Sequence, residues 1–430
     1  MDVKATSIDQ TQTGAVDVQN ATTLTANTVA LNNAGNDFKG QVNLAISGNT
    51  NLRDINDLVV TGDVKDAALH GDKLLINGLR ATGDLALKAN AVDQNPDLPN
   101  AVTVQGATRI EALAENTGNF NLNNSGNDFV GTVDLVDVGV ATLFDKNSLF
   151  VEGRAGVLTL TADHVAQQQG DKLEVEQTAR INAASVLLSN PENNFKGLVD
   201  LNVSEMATLH DANTLRMAGK ANDALLNAVR IEIDGVLDVT ENLTLTASEI
   251  TQNAAIIVGG ETGINGTESA VLGNADNDFV GAVHLKNTAN AVLRDKNKIT
   301  VAGNAGSLTV NAPSVTSGEV VLGDLTANSL TVSAVEVSQI NSTLAEKVVV
   351  EGVSILNAGK VVLQNEGNDF KGQVNLAISG NTNLRDANTL TVAGTSATAN
   401  LNAADIAVNG LTTTGNLNIA ATNTAALNNV

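Results

Sequence analysis

Apolar and polar side chains alternate along most of this chain. Phe38, Gly40, Val42, Leu44 and Ile46 share one parity, and Asp37, Lys39, Gln41, Asn43 and Ala45 share the other. A period of two held over nine residues predicts a strand buried on one face. A turn at Ser47–Asn49 follows, then Leu52, a bend at Asp54-x-Asn56, and a second strand carrying Leu58 and Val60 that ends at Gly62. The residues before Phe38 alternate in the same manner through Val16, Val18, Leu24, Val29 and Leu31. Looser stretches with the same spacing run over Leu85–Val92, Leu158–Val165, Leu243–Ile250, Leu308–Val315 and Leu330–Val337. Helical periodicity is absent. Ala221–Val229 comes nearest, but β-branched residues and Asn crowd its flanks.

The strand pattern is written five times. Gly35–Asp54 and Gly367–Asp386 are the same twenty residues, GNDFKGQVNLAISGNTNLRD. Three looser copies give modules at 31–62, 122–153, 188–219, 272–303 and 363–394. Each begins with Asn-Asp/Asn-Phe-x-Gly, placing Phe38, Phe129, Phe195, Phe279 and Phe370 two residues before Gly40, Gly131, Gly197, Gly281 and Gly372. Each continues to an Asp-x-Asn pair: Asp54/Asn56, Asp145/Asn147, Asp211/Asn213, Asp295/Asn297 and Asp386/Asn388. A repeat of this kind sets the architecture, because one module cannot bury its apolar face alone and must stack on its neighbours.

The modules are 91, 66, 84 and 91 residues apart. At roughly 21–23 residues per turn these intervals are four, three, four and four turns, which makes residues 1–430 one β-helix of about 19–20 turns. Whole turns are expected because a slip of one residue turns every inward side chain outward. The five Phe should then line one edge of a single apolar shaft. Asp93–Asn100, with Pro96 and Pro99, is expected to protrude as a loop. Gly259–Gly266 is a second expected loop. Ala426–Asn429 repeats Ala30–Asn33, so the chain reads as a segment of a longer rod.

Composition agrees with a narrow, repetitive interior. There is no Trp, Tyr or Cys and there are only eight Phe, so Val, Leu, Ile and Ala must fill the core. Without Cys, disulfide bracing is excluded, and either a reducing compartment or a secreted rod remains open. A formal net charge of −23 argues against nucleic acid and anionic lipid as partners. No apolar run is long enough to enter a membrane directly, and Met1–Gly14 has no signal-peptide pattern.

The recurring residues are expected to be structural, with no catalytic, cofactor or metal site. The Asp/Asn pairs could be calcium ligands, but calcium takes six to eight oxygens, and one pair every three or four turns cannot pool them. A corner, with the Asp and Asn side chains bonding nearby backbone, suits them better. Each Phe is expected to plug the core, with the Gly two residues on leaving room for its ring. His70, His164, His210 and His284 lack partners at metal spacing. Outward Thr is too sporadic for an ordered binding face. Enzymes built on β-helices need clustered carboxylates, and usually aromatics, in a cleft, and neither is visible here. The chain is therefore expected not to be an enzyme.

The succession NDFxGxVxL and LxDxNxLxVxG, as at 36–44 and 52–62, resembles the repeat region of filamentous-haemagglutinin-like exoproteins of Gram-negative bacteria. That resemblance implies a right-handed parallel β-helix, with export through an outer-membrane transporter by two-partner secretion or an autotransporter barrel. It also implies a place outside the cell as the stalk of a surface adhesin in attachment or biofilm. Two other readings go with it. The rod could bind host or matrix glycans or a cell-surface receptor, or it could be the delivery stalk of a contact-dependent toxin.

Overall fold

A computed structural model of the chain describes residues 1–11, 13–95, 98–340 and 346–428. Pro96 of the expected loop and Asn429 of the C-terminal echo lie outside the described residues. Strand pairing is parallel wherever a register is defined, as in Leu24↔Leu44, Leu69↔Leu52, Leu69↔Leu87 and Leu87↔Ile110. No α-helix occurs among the described residues, and one 3-10 turn spans Leu98–Asn100. The fold is an all-β solenoid of parallel stacked turns, about 21 in all.

Alternation in the sequence becomes alternation in space. Val42, Leu44 and Ile46 are buried, while Asn43 and Ala45 between them reach the surface. In adjacent turns the inward residues stack like on like. Leu52, Leu69, Leu87 and Ile110 form one such row, all at most 1% exposed. Each inward Leu, Val or Ile contributes about 1.5–3 kcal/mol by leaving water. Among the described residues the interior takes a fully buried aromatic ring only at the five module Phe and at Phe120, inward on the strand Thr117–Leu122.

Turns are shorter and less regular than the sequence suggests. The step is 16 residues for Leu58↔Leu74, 18 for Val42↔Val60 and 28 for Val92↔Phe120. Three local readings also change. The strand Asp57–Val64 runs through Gly62 instead of ending there. Gly62 takes φ 121° and stays paired with Leu44 and Leu79, and the extra residue of the bulge lies on the neighbouring strand between Ile76 and Leu79. Only Gly259–Glu261 is a turn, since Thr262–Leu272 is strand. Asp93 belongs to the strand Ala91–Gln94, so the irregular stretch begins at Asn95.

The chain divides into two compact units, Met1–Arg216 and Met217–Val430. In the first, an inward line runs Val42–Val60–Ile76–Gln94 and, in the register of Val92↔Phe120, on through Leu122–Leu143–Leu160–Ile181–Leu201. Val42 and Leu201 are eight turns apart and follow Phe38 and Phe195 by four and six residues, so those two Phe share a corner. Phe129 does not. Its own line runs back through Val104, Ala81 and Val64, next to the Ala45↔Asp63 pair and eight residues beyond Phe38. That is about half of an 18-residue turn.

The second unit repeats the offset. From Phe370 the line passes Val350, Ala327, Ala305 and Thr288, nine residues beyond Phe279. Successive modules within a unit therefore sit on opposite corners, and the intervals between them are not whole turns. A half-turn shift moves a module to the facing corner while keeping its inward parity. Only a one-residue slip would invert it.

Candidate functional site: the module corner

Two adjacent turns build each corner. The Asp54 carboxylate points inward, where Oδ2 accepts from Phe38 N–H at 2.6 Å and Oδ1 from Asn56 N–H at 2.7 Å. The same two bonds recur in the other four modules, at 2.6–2.7 Å in every case. Asp145 accepts from Phe129 and Asn147, Asp211 from Phe195 and Asn213, Asp295 from Phe279 and Asn297, and Asp386 from Phe370 and Asn388. All five carboxylates are at most 3% exposed. Burial pushes their pKa above the usual carboxylate value, and the two backbone N–H donors oppose that rise. With both oxygens committed to backbone, Asp54 and its counterparts staple one turn to the next. Among the described residues no group of three His, Cys, Asp or Glu could hold a metal ion.

The two members of each Asp-x-Asn pair do different work, which corrects the expectation that both side chains bond backbone. Asn56, Asn147, Asn213, Asn297 and Asn388 enter the staple through their main-chain N–H, and all five residues are exposed. Where their side-chain amides have partners, these are other side chains on the surface. Asn147 Nδ2 reaches Asp128 Oδ1 at 3.3 Å, and Asn213 Nδ2 reaches Asn194 Oδ1 at 3.4 Å. The bend presents the carboxylate inward, so the residue two positions on, of the same parity but past the bend, faces water.

The five Phe rings are at most 1% exposed and fill the corner interior. The Gly that follows serves a different neighbour from the one expected. A Cβ on Gly40 would stand 2.6 Å from the backbone of Asn20 and Ala21, and one on Gly131 would stand 2.3 Å from Gly106 O. Gly197, Gly281 and Gly372 are equally tight against the preceding turn, at 2.0–2.2 Å. The Gly thus makes room for adjacent backbone rather than for the Phe ring, and it breaks the expected nine-residue strand into Asp37–Phe38 and Val42–Ile46.

Sequence reading missed a second constant element. The buried Asn36, Asn127, Asn193, Asn277 and Asn368 each form a reciprocal amide pair with a Gln from the preceding coil: Gln10, Gln94, Gln167, Gln252 and Gln339. The Asn oxygen also accepts the N–H of Val16, Val102, Leu173, Ile256 or Val348, where the next strand begins, at 2.8–2.9 Å. The Gln amide also donates to a carbonyl of the intervening loop: Gly14, Asn100, Asp171, Ala254 or Glu346. A constant clamp therefore closes a loop that differs in length from module to module. The signal was present, because Ile or Val stands two residues before each of these Gln.

A further pattern accompanies the change of corner. The residue after Phe reads Lys39, Val130, Lys196, Val280, Lys371, and the residue between Asp and Asn reads Ile55, Lys146, Ala212, Lys296, Ala387. The lysine swaps position from one module to the next. Lys39 pairs with Asp17 and with Asp37 of its own module, Lys196 with Glu174 and Glu176, and Lys371 with Glu351. Lys146 and Lys296 reach Asp128 and Asp278, the Asp before Phe in their modules. These pairs are exposed and each is worth at most about 1 kcal/mol. The histidines stand apart from one another in the sheets: His164 Nδ1 meets Ser185 Oγ at 2.7 Å, and His284 lies 3.8 Å from Glu261.

The pattern of a family described as repeats of unknown function (DUF5649) matches residues 1–45, 47–136, 138–202, 207–286 and 305–377. No curated protein and no solved structure matches the chain.

Proposed function

The chain belongs to that family of repeats, and we propose that it is a non-catalytic structural segment of a bacterial surface adhesin. One observation carries this reading. At all five corners the recurring buried polar side chains spend their hydrogen bonds inside the protein, the Asp on backbone N–H groups and the Asn on its Gln partner and on backbone. Residues repeated for catalysis or ligand capture would keep an atom free for the substrate. These hold turns together, which is the task of a scaffold whose reach grows with the number of turns. The resemblance of its modules to filamentous-haemagglutinin-like exoproteins supports a place outside the cell, reached through an outer-membrane transporter.

Labelling with an antibody against this segment tests the proposal. Intact cells of the producing bacterium are expected to be stained. Staining that requires permeabilisation would overturn the surface reading, and loss of the segment without loss of attachment would overturn the adhesin reading.

A further inference from the structure

In the unit Met217–Val430, a trough of about 560 Å³ opens on an outer sheet face. Its floor is a row of polar side chains in register across consecutive turns: Arg294, Asn311, Ser333 and Asn357. One wall is apolar, formed by Pro313, Val315 and Val335, with Val315 89% exposed. The lining contains one cation and no Asp or Glu, in a chain whose net charge is −23.

The polar groups are unspent. Arg294 Nε is buried and has no hydrogen-bond partner. Among the described residues the side chains of Asn311, Ser333 and Asn357 make no hydrogen bond within the protein either. Among the described residues no acid holds the Arg294 guanidinium, so its terminal Nη donors, which unlike Nε are not buried, are open to a ligand in the trough. The other module arginine of this unit, Arg385, is held by Glu366 at 2.9 Å.

We propose that this trough binds a carboxylate-bearing sugar. A guanidinium presents a planar fork of donors that matches a carboxylate. Amide, hydroxyl and amide follow at about the 4.8 Å strand spacing. They offer both donors and acceptors, as sugar hydroxyls require. The Pro313, Val315 and Val335 wall faces the C–H side of the ring. The volume lies within the range of about 300–1,000 Å³ usual for small-ligand sites. The inference stands apart from the surface-adhesin reading, since binding is measured on the isolated chain.

Calorimetric titration of the full chain with oligogalacturonate, sialyllactose and a neutral oligosaccharide of equal size is the test. At least one acidic sugar is expected to bind, and the two acidic arms separate uronate from sialate as its source. The neutral sugar is expected to bind at least tenfold more weakly. Arg294→Gln should weaken acidic binding roughly ten- to hundredfold, and Arg294→Lys should restore it only in part because Lys lacks the fork. Ser333→Leu, which fills the floor from an outward position, should abolish binding while leaving the thermal midpoint unchanged. Arg385→Gln should have no effect. Equal affinity for neutral and acidic sugars, unchanged binding by Arg294→Gln or Ser333→Leu, or no binding of any acidic sugar at millimolar concentration would each overturn the proposal.

Discussion

Replacing Asp145 by Ala removes the acceptor of two backbone donors, the buried Phe129 N–H at 2.6 Å and the partly buried Asn147 N–H at 2.7 Å. The orphaned Phe129 donor costs about 1–3 kcal/mol, and the partly buried Asn147 donor a figure at the low end of that range. Losing the buried carboxylate returns part of its own desolvation cost, which is what pushes its pKa up. The net loss should be about 2–4 kcal/mol, confined to the Phe129 corner. Asp145→Asn keeps one acceptor but turns an amide donor towards the other N–H, so about 1–3 kcal/mol should go.

Hydrogen exchange resolved to single amides reads this directly. Phe129 and Asn147 should exchange roughly 30- to 1,000-fold faster in Asp145→Ala, at 1.36 kcal/mol per decade. Amides at the Asp54 corner should be unaffected. Unchanged protection at Phe129 would refute the staple. The pH dependence carries a further sign. The folded pKa of these carboxyls is raised, so their contribution to stability is complete below the unfolded pKa and is lost as pH rises through the folded one. The cost of Asp145→Asn should therefore be larger at the acidic end of that window than at neutral pH.

Three further outcomes follow from the corner geometry. Gly131→Ala should destabilise by at least about 1–3 kcal/mol, because its Cβ would stand 2.3 Å from Gly106 O; Gly273→Ala, with nothing within 4 Å, should not, and comparing their urea midpoints decides. Gln167→Leu strips the clamp from the loop it shares with Asp171 and Asn193, and should speed limited proteolysis between residues 168 and 172 without abolishing folding. Lys39→Ala and Lys196→Ala should each change stability by at most about 1 kcal/mol, because their ion pairs are exposed; a larger shift of the urea midpoint would show that these lysines brace the corner.

Much of the fold was legible because period-two alternation leaves a strand one way to bury its apolar face. Val42, Leu44 and Ile46 went inward as their parity required. Phase around the axis was not legible. Turn length varies between 16 residues at Leu58↔Leu74 and 28 at Val92↔Phe120, so dividing a 91-residue interval by a mean turn gave a whole number where the structure has about half a turn more. The exchange of lysine between the positions of Lys39 and Lys146 records the alternation, but in sequence it looks like tolerance on a solvated face. The Asp-x-Asn spacing marked the corner without separating a buried Asp145 from an exposed Asn147, because both residue types suit a bend. The Gln of the clamp lies 25 to 33 residues before its Asn, across a loop of variable length, so no fixed spacing exposes it. The Arg294 trough depends on which side chains three later turns bring alongside. Arg53, in the same position of the first module, instead stands beside His70 and, one turn further, Lys88.

The half-turn alternation can be measured with two pairs of spin labels in the unit Met1–Arg216, since the chain contains no Cys and labels go only where Cys is introduced. Ala45 and Asp128 are joined by four register steps, Ala45↔Asp63↔Arg80↔Thr103↔Asp128. At the strand spacing they should be separated by about 19 Å along one edge. Asp37 and Asp128 hold the same place in their modules but lie on opposite corners, so their separation should be clearly longer. The reverse order, with Asp37 and Asp128 the closer pair, would contradict the alternation and return the modules to a single edge.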